Sequence, residues 1–477
     1  MNRFACSSQA PAASRREFLR RFGLGFGSLA LGDLLAREAT AEKETQVNPL
    51  VAQSPHFPGT AKHVIFLFMQ GGPSQLETFD PKPQMAKYDG KLLPESLRNF
   101  DLAQINTADA KVLAPAFEFE KRGESGLEIS SVFPELAKHA DKLAIIRSCW
   151  HELFIHGSAL TMMHSGTQLL GHPSVGAWVT YGLGCQSDNL PAYIAMTDSI
   201  FRNGTAAFSS GFLPAVFQGT YLRSQGAPIQ NLRRPPGLDA AGQRLLLDQI
   251  NAWNSAHRDA RPHDSRLDAR IANYELAFRM QSAAPELIDL SQETEHTRES
   301  YGIEKDPTKS FGTMCLLARR MVERGVRYVH LVDGGWDAHG DCRGNHTAQA
   351  KKVDQPIAAL LADLEQRGLL ESTLVVWGGE FGRTPIRQGN DGRDHHPYGF
   401  SMWMAGGGIN GGKVIGATDD FGFQAIEDKV HVNDLHATML SLLGLDHEQL
   451  TYLFEGREHR LTDVAGWNDL AERLTSG

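Results

Sequence analysis

The chain has 477 residues, 41% hydrophobic and 22% charged, an ordinary balance for one large folded domain or a few smaller ones. A formal net charge of −9 gives none of the basic footprint that a nucleic-acid partner requires. Its five cysteines (Cys6, Cys149, Cys185, Cys315 and Cys342) form no C-x-x-C pair, which argues against a zinc ribbon or thioredoxin-type site, and their spacing assigns no disulfide.

In chain order, Ser14-Arg15-Arg16-Glu17-Phe18-Leu19 forms a twin-arginine signal, followed by a mildly apolar, Gly-rich run over 22–36. Ala39-Thr40-Ala41 supplies the small residues that a signal peptidase reads, so cleavage is expected after Ala41, with export of the folded protein to the periplasm or beyond. The apolar run falls short of the about 20 residues that a stable membrane span needs, and no other segment offers one. Residues 42–60 are polar and read as a linker; 61–477 read as one domain with a helical insertion around 198–300. Continuous apolar runs at 63–68, 143–146 and 192–196 predict strands buried on both faces. Residues 242–289 alternate apolar and charged at helical spacing and predict two or three helices. A helix over 311–325 feeds a strand at 326–332, and a helix over 353–367 feeds one at 373–377. A further strand is expected at 400–404 and a helix at 433–443. Helix followed by buried strand, repeated, predicts an α/β fold with a mostly parallel central sheet and helices on both faces. In such sheets ligands bind beyond the carboxyl ends of the strands, which is where the polar clusters fall.

Four clusters are candidates for chemistry. Asp333-Gly334-Gly335-Trp336-Asp337-Ala338-His339 follows the strand at 326–332, and its Asp337 and His339, two residues apart on a Gly-flanked loop, suit zinc, manganese or iron. Gly379-Glu380-Phe381-Gly382-Arg383 follows the strand at 373–377. There Glu380 is a ligand or a base, and Arg383 either holds an anion or pairs with Glu380. Arg393-Asp394-His395-His396 precedes the strand at 400–404; alternate residues share a face, Asp394 with His396 and His395 opposite. His156-Gly157-Ser158 opens a helix-like run, with Ser158 a candidate nucleophile and His156 its base or a metal ligand; the other reading is a polar helix cap. His436 reads as structural. Gly407 to Lys413 nearly matches a phosphate loop but fails as one, because Val414 stands where a Ser or Thr must bind magnesium and a strand follows.

Gly71-Gly72-Pro73-Ser74-Gln75 with Thr78-Phe79-Asp80-Pro81-Lys82-Pro83, then Trp336-Asp337-Ala338-His339-Gly340, then Gly379-Glu380-Phe381-Gly382-Arg383-Thr384-Pro385 closely resemble the family called domain of unknown function 1501. The resemblance covers essentially the whole mature chain. It implies the three-layer α/β/α sandwich of the alkaline-phosphatase superfamily, which includes sulfatases, phosphodiesterases and cofactor-independent phosphoglycerate mutases. Against that superfamily's pattern, Gln70 stands where the first strand ends in a metal-binding Asp. His156 falls at the nucleophile position, and Glu380-Phe381-Gly382 replaces Asp-His-Gly. His395 or His396 matches the final metal histidine, and the segment from Asp434 to Gly444 resembles the closing helix. None of the cysteines has the setting of a formylglycine sulfatase.

The sequence thus leads to an expected metal-dependent hydrolase of phosphate or sulfate esters, or of a related small-molecule or polymeric anion. A divalent metal (zinc, manganese or iron) is expected on residues drawn from Asp337, His339, Asp394, His395 and His396. His156 or Ser158 is expected at the nucleophile position, Glu380 as ligand or base and Arg383 on the anion. Two alternatives stand beside it: a secreted binding protein that kept the fold and lost the chemistry, and a metal-independent esterase using Ser158.

Overall fold

The run His63–Gln70 (β1) is the centre of the structure because every one of its residues is apolar or buried, leaving neither face for water. Val64, Phe66 and Phe68 point to one face of the sheet, and Ile65, Leu67 and Met69 to the other. The computed structural model describes residues 50–98, 107–223, 234, 237–261, 264–463, 465–466 and 470–476. The expected signal segment, Cys6 and the first part of the expected linker lie outside them.

The other strands of the main sheet are Ala144–Trp150 (β2), Tyr193–Thr197 (β3), Thr220–Arg223 (β4), Tyr328–Gly334 (β5), Thr373–Gly378 (β6), Phe400–Ala405 (β7), Lys413–Ile415 (β8) and Val430–His431 (β9). Their order is β8-β2-β7-β6-β1-β5-β3-β4, with β9 also on β2. All pairings are parallel except those of β7, which runs antiparallel to both β2 and β6. One face is covered by His156–Ser165 (α1), Val175–Leu183 (α2) and Val432–Leu442 (α7), through residues such as Leu160, Met163, Trp178 and Leu435. The other is covered by Lys309–Glu323 (α5) and Cys342–Gln366 (α6), through Phe311, Met314, Leu317, Val353, Ile357 and Leu361. Each such side chain, fully buried, stabilises the fold by about 1.5–3 kcal/mol. This is the three-layer α/β/α sandwich that the sequence predicts.

Among the described residues, the segment expected to hold two or three helices contains two, Ala240–Asp259 (α3) and Ser265–Ile288 (α4). Helix α6 starts well before the expected residue 353, because Asp341 caps it by accepting from Gly344 N–H at 2.9 Å. Its polar first turns hide that start from any hydrophobic pattern. The near-phosphate loop leads into β8, an edge strand, and not a helix. Cys149, Cys185, Cys315 and Cys342 are buried and free. Among the described residues no helix is long and apolar enough to cross a membrane.

Strand direction explains where the polar clusters land. Gln70 pairs with Gly334 and Phe68 with Gly378, so β1, β5 and β6 end side by side. The parallel strands β2 and β3 end on the same edge, while the reversed β7 begins there. The loops after β2, β3, β5 and β6 and the segment before β7 therefore share one rim.

Candidate metal centre

Four side chains meet at that rim: His156 at the start of α1, Asp337 and His339 after β5, and His395 before β7. Each offers one ligand atom, and these atoms all lie within 4.8 Å of one another. Asp337 is the hub. Its Oδ1 lies 3.0 Å from His339 Nε2 and 3.3 Å from His395 Nε2, and its Oδ2 lies 3.1 Å from His156 Nε2. The two imidazoles of His339 and His395 face each other Nε2 to Nε2 at 3.0 Å. Ligands bonded to one zinc ion at about 2.05 Å in a tetrahedron would stand about 3.3 Å apart.

The outer nitrogens fix the state of the inner ones. His395 Nδ1 donates to the Phe154 carbonyl at 2.8 Å, and His156 Nδ1 faces Glu380 Oε1 at 2.7 Å. His339 Nδ1 donates to Gln388 Oε1 at 2.7 Å, an orientation set by Gln388 Nε2 donating to Asp394 Oδ2 at 2.9 Å. With a proton on each Nδ1, the neutral rings turn three Nε2 lone pairs toward one carboxylate. His156 Nε2, although 3.1 Å from Asp337 Oδ2, is buried without a well-aligned hydrogen bond. Arg383 and Arg202 reach the Asp337 carboxylate, but neither serves the three inward imidazole nitrogens, which call for a cation between them, and outward-facing anchors on each ring are what metal-ligating histidines use. The residues present therefore fit a divalent ion.

The charges agree. Burial alone would raise the Asp337 pKa, but the Arg383 guanidinium and the His156 and His395 rings beside it outweigh burial and hold the carboxyl well below its usual range. Burial disfavours a charged His156, yet Asp337 and Glu380 together override it and raise its proton affinity, so without an ion a proton on Nε2 competes for the place facing Asp337. Burial lowers the His395 pKa by more than Asp337 restores, with the Arg383 charge adding to the fall.

The remaining expected site residues lie elsewhere. His395 and His396 pair with Arg383 and Gly382 in a short antiparallel bridge, whose alternation sends the two rings to opposite sides. His396 is fully buried with Nε2 on the Phe423 carbonyl at 2.5 Å, so it is not in the donor group. Asp394 accepts from the His395 N–H at 2.8 Å and from Gln388, and stands 3.8 Å from His339 Nδ1; it steadies the neighbours of the centre and is not a donor within it. Of the alternate pair Asp394 and His396 neither enters, and the residue between them does.

Glu380 is also turned away from the donor group. It is fully buried, accepts the Gly71 N–H on both oxygens (2.9 and 3.0 Å), and orients His156. That contact needs glycine at 71: φ is +122° and a Cβ there would stand 2.5 Å from Asp337 N. Arg383 is fully buried. Its Nη2 meets Asp337 Oδ1 at 2.7 Å and also the Gly71 carbonyl, while Nε and Nη1 donate to the Gly72 and Arg393 carbonyls at 2.9 and 3.1 Å. Every nitrogen is used, so Arg383 has no fork left for an anion, and its partner is Asp337, not Glu380. Ser158 Oγ donates to the Ile155 carbonyl at 3.1 Å, a helix-end hydrogen bond, and among the described residues no base is hydrogen-bonded to it. Asp333 is fully buried against Trp336 Nε1 (2.9 Å) and Lys352 Nζ (2.7 Å) and is not in the donor group.

Two residues escape the sequence reading. Gln388 anchors His339, and Arg202, in the loop after β3, reaches Asp337 Oδ2 with Nη1 at 3.1 Å. A single polar residue in an irregular loop leaves no spacing pattern to find.

Solved structures with similar arrangements include the PsFucS1 sulfatase from Pseudoalteromonas sp., 13% identical, the match covering 81% of this chain and 68% of that one at a TM-score of 0.33. The alkaline phosphatase of the Antarctic bacterium TAB5 is 11% identical, over 81% of this chain and 99% of that one, at a TM-score of 0.33. The phosphonate monoester hydrolase SpPMH from Silicibacter pomeroyi is 12% identical, over 87% and 76% respectively, also at 0.33. Scores this low carry no argument about chemistry. No curated protein matches the sequence. The family model does match, across residues 61–471, and the chain therefore belongs to the family described as Protein of unknown function (DUF1501).

Proposed function

We propose that the chain is an exported, metal-dependent hydrolase of a phosphate or sulfate ester or a related anionic substrate. The observation that carries this reading is the convergence of three Nε2 lone pairs on the Asp337 carboxylate, with every outer nitrogen anchored. His156, Asp337, His339 and His395 would hold one divalent ion. Three imidazoles and one carboxylate suit zinc, manganese or iron. When bound, such an ion supplies Lewis acidity toward an ester oxygen.

The chain's own residues prepare the place. Glu380, Gln388 and the Phe154 carbonyl fix the three rings, and Arg383 pins Asp337 from the buried side. His339 is 42% exposed and Asp337 21%, so the centre is open to solvent.

Elemental analysis of protein purified without added metal tests the reading. Near-stoichiometric zinc, manganese or iron, lost in His339→Ala, is the expected result, together with ester hydrolysis that a chelator abolishes. A wild-type chain that takes up no metal would refute it.

The binding-protein alternative is favoured by one observation: Gln70, at the end of β1, spends both ends of its amide on backbone groups of the 200–202 loop. It predicts a metal-loaded chain inert toward phosphomonoesters, phosphodiesters and sulfate esters alike. The serine-esterase alternative has no support at Ser158, whose hydroxyl is spent on Ile155.

A further inference from the structure

Resting on that reading of the centre, we propose that Arg202 receives the anionic group of the substrate, and that Gln70 is the residue that presents it. Arg383 was the expected anion holder and is fully committed to the protein. Arg202 differs in each respect. Its side chain is 36% exposed, and the one hydrogen bond of its guanidinium among the described residues runs from Nη1 to Asp337 Oδ2 at 3.1 Å. A guanidinium carries five N–H donors in a planar fork. The others therefore lie beside the donor cluster with no acceptor among the described residues, where an oxyanion approaching the ion would arrive.

The backbone under Arg202 is fixed. Gln70 is 3% exposed, donates from Nε2 to the Ile200 carbonyl at 2.9 Å, and accepts the Arg202 N–H on Oε1 at 2.9 Å. Thr197 Oγ1 ties the base of the loop to the Val332 carbonyl at 2.9 Å. A Cβ on Gly334 would stand 2.5 Å from Ser199 Oγ, so the loop lies directly against the end of β5. The amide at the end of β1 thus serves the loop after β3.

The tether on the side chain, by contrast, is weak: a partly exposed ion pair that an incoming anion can replace. When Arg202 turns to an anion, Asp337 keeps its buried partner Arg383 at 2.7 Å, so the carboxylate is not left bare. The fork matches two oxygens of a phosphate or sulfate group, which makes the shared tetrahedral oxyanion the recognised element.

The test is calorimetric titration of inorganic phosphate into the full chain, as purified and after loading with zinc or manganese. Arg202→Gln is expected to weaken phosphate binding about tenfold to a hundredfold, with metal content equal to that of the wild type. Arg202→Lys, which keeps the charge and loses the fork, should fall between. Phosphate binding unchanged in Arg202→Gln would overturn the proposal. So would loss of metal from that variant with unaltered phosphate affinity in the fraction still loaded, since Arg202 would then serve the ion alone. The metal reading fails separately, by a wild-type chain that binds phosphate through Arg202 and no metal.

Discussion

Replacing Glu380 by Gln separates its role at the centre from its role in the fold. The carboxylate receives His156 Nδ1 at 2.7 Å and the Gly71 N–H at 2.9 and 3.0 Å, with no exposure to water. Gln keeps one acceptor oxygen and the shape of the side chain, but it removes the charge that makes the His156 hydrogen bond strong. Loss of an orienting partner behind a metal-bound histidine costs about 10–100-fold in affinity, or about 1.4–2.7 kcal/mol. Glu380→Ala leaves both buried donors unpaired, at about 1–3 kcal/mol of stability each. Zinc affinity measured against a chromophoric chelator should therefore fall in both variants, while the melting temperature of the metal-free protein should fall clearly only in Glu380→Ala. If Glu380→Gln bound zinc as tightly as the wild type, Glu380 would serve only to close the turn at Gly71, and the anchoring of the His156 ring would have to be abandoned.

Other consequences are open to direct measurement. Burial pushes the His346 pKa down to about 3, opposed by its contact with the Cys342 carbonyl and aided by the Arg383 and Arg393 charges, and its Nε2 must stay neutral to accept the Ser74 N–H. Below pH 6.5 the unfolded chain takes up a proton there that the folded chain refuses, so stability is present above pH 6.5 and lost as pH falls toward 3. His346→Gln should flatten that slope in metal-free protein by up to about 1.4 kcal/mol per pH unit, read from urea denaturation at several pH values; an unchanged slope would remove His346 as a cause of acid lability. Gly71→Ala should lower both stability, by more than about 1 kcal/mol, and bound metal, because the added methyl meets Asp337 N; metal content equal to wild type would show that the Asp337 loop is not held from below. Changing Arg15 and Arg16 together to lysine should retain the protein inside the cell, checked by fractionation, and continued export would end the twin-arginine proposal.

The layers of the fold were legible because buried parallel strands write themselves as unbroken apolar runs, as in β1 and β6. Helix α6 was read only from residue 353 because its first turns are polar and held by a cap. At the centre, Asp337 and His339 stood out by their Gly-flanked spacing, whereas the neighbouring pair His395 and His396 gave a period of two without its phase. The bridge to Gly382–Arg383 sets that phase, and it is a tertiary contact. Charge type identified Arg383 as an anion binder, but only burial tells a spent guanidinium from a free one, which is why Arg202 went unseen.

The reversed strand β7 has a consequence for assembly. Its neighbours β2 and β6 have no pairing with each other, so β7 is the keystone between the β8-β2 portion and the rest of the sheet. Every partner of β2 comes from the last part of the chain, at or beyond Phe400. During synthesis the segment 144–150 must wait for it with both edges unpaired, a state that invites association with other chains. His395 enters just ahead of the strand that ends this wait, so sheet closure and completion of the four-residue donor group are one late event. A chain truncated before residue 395 would lack both.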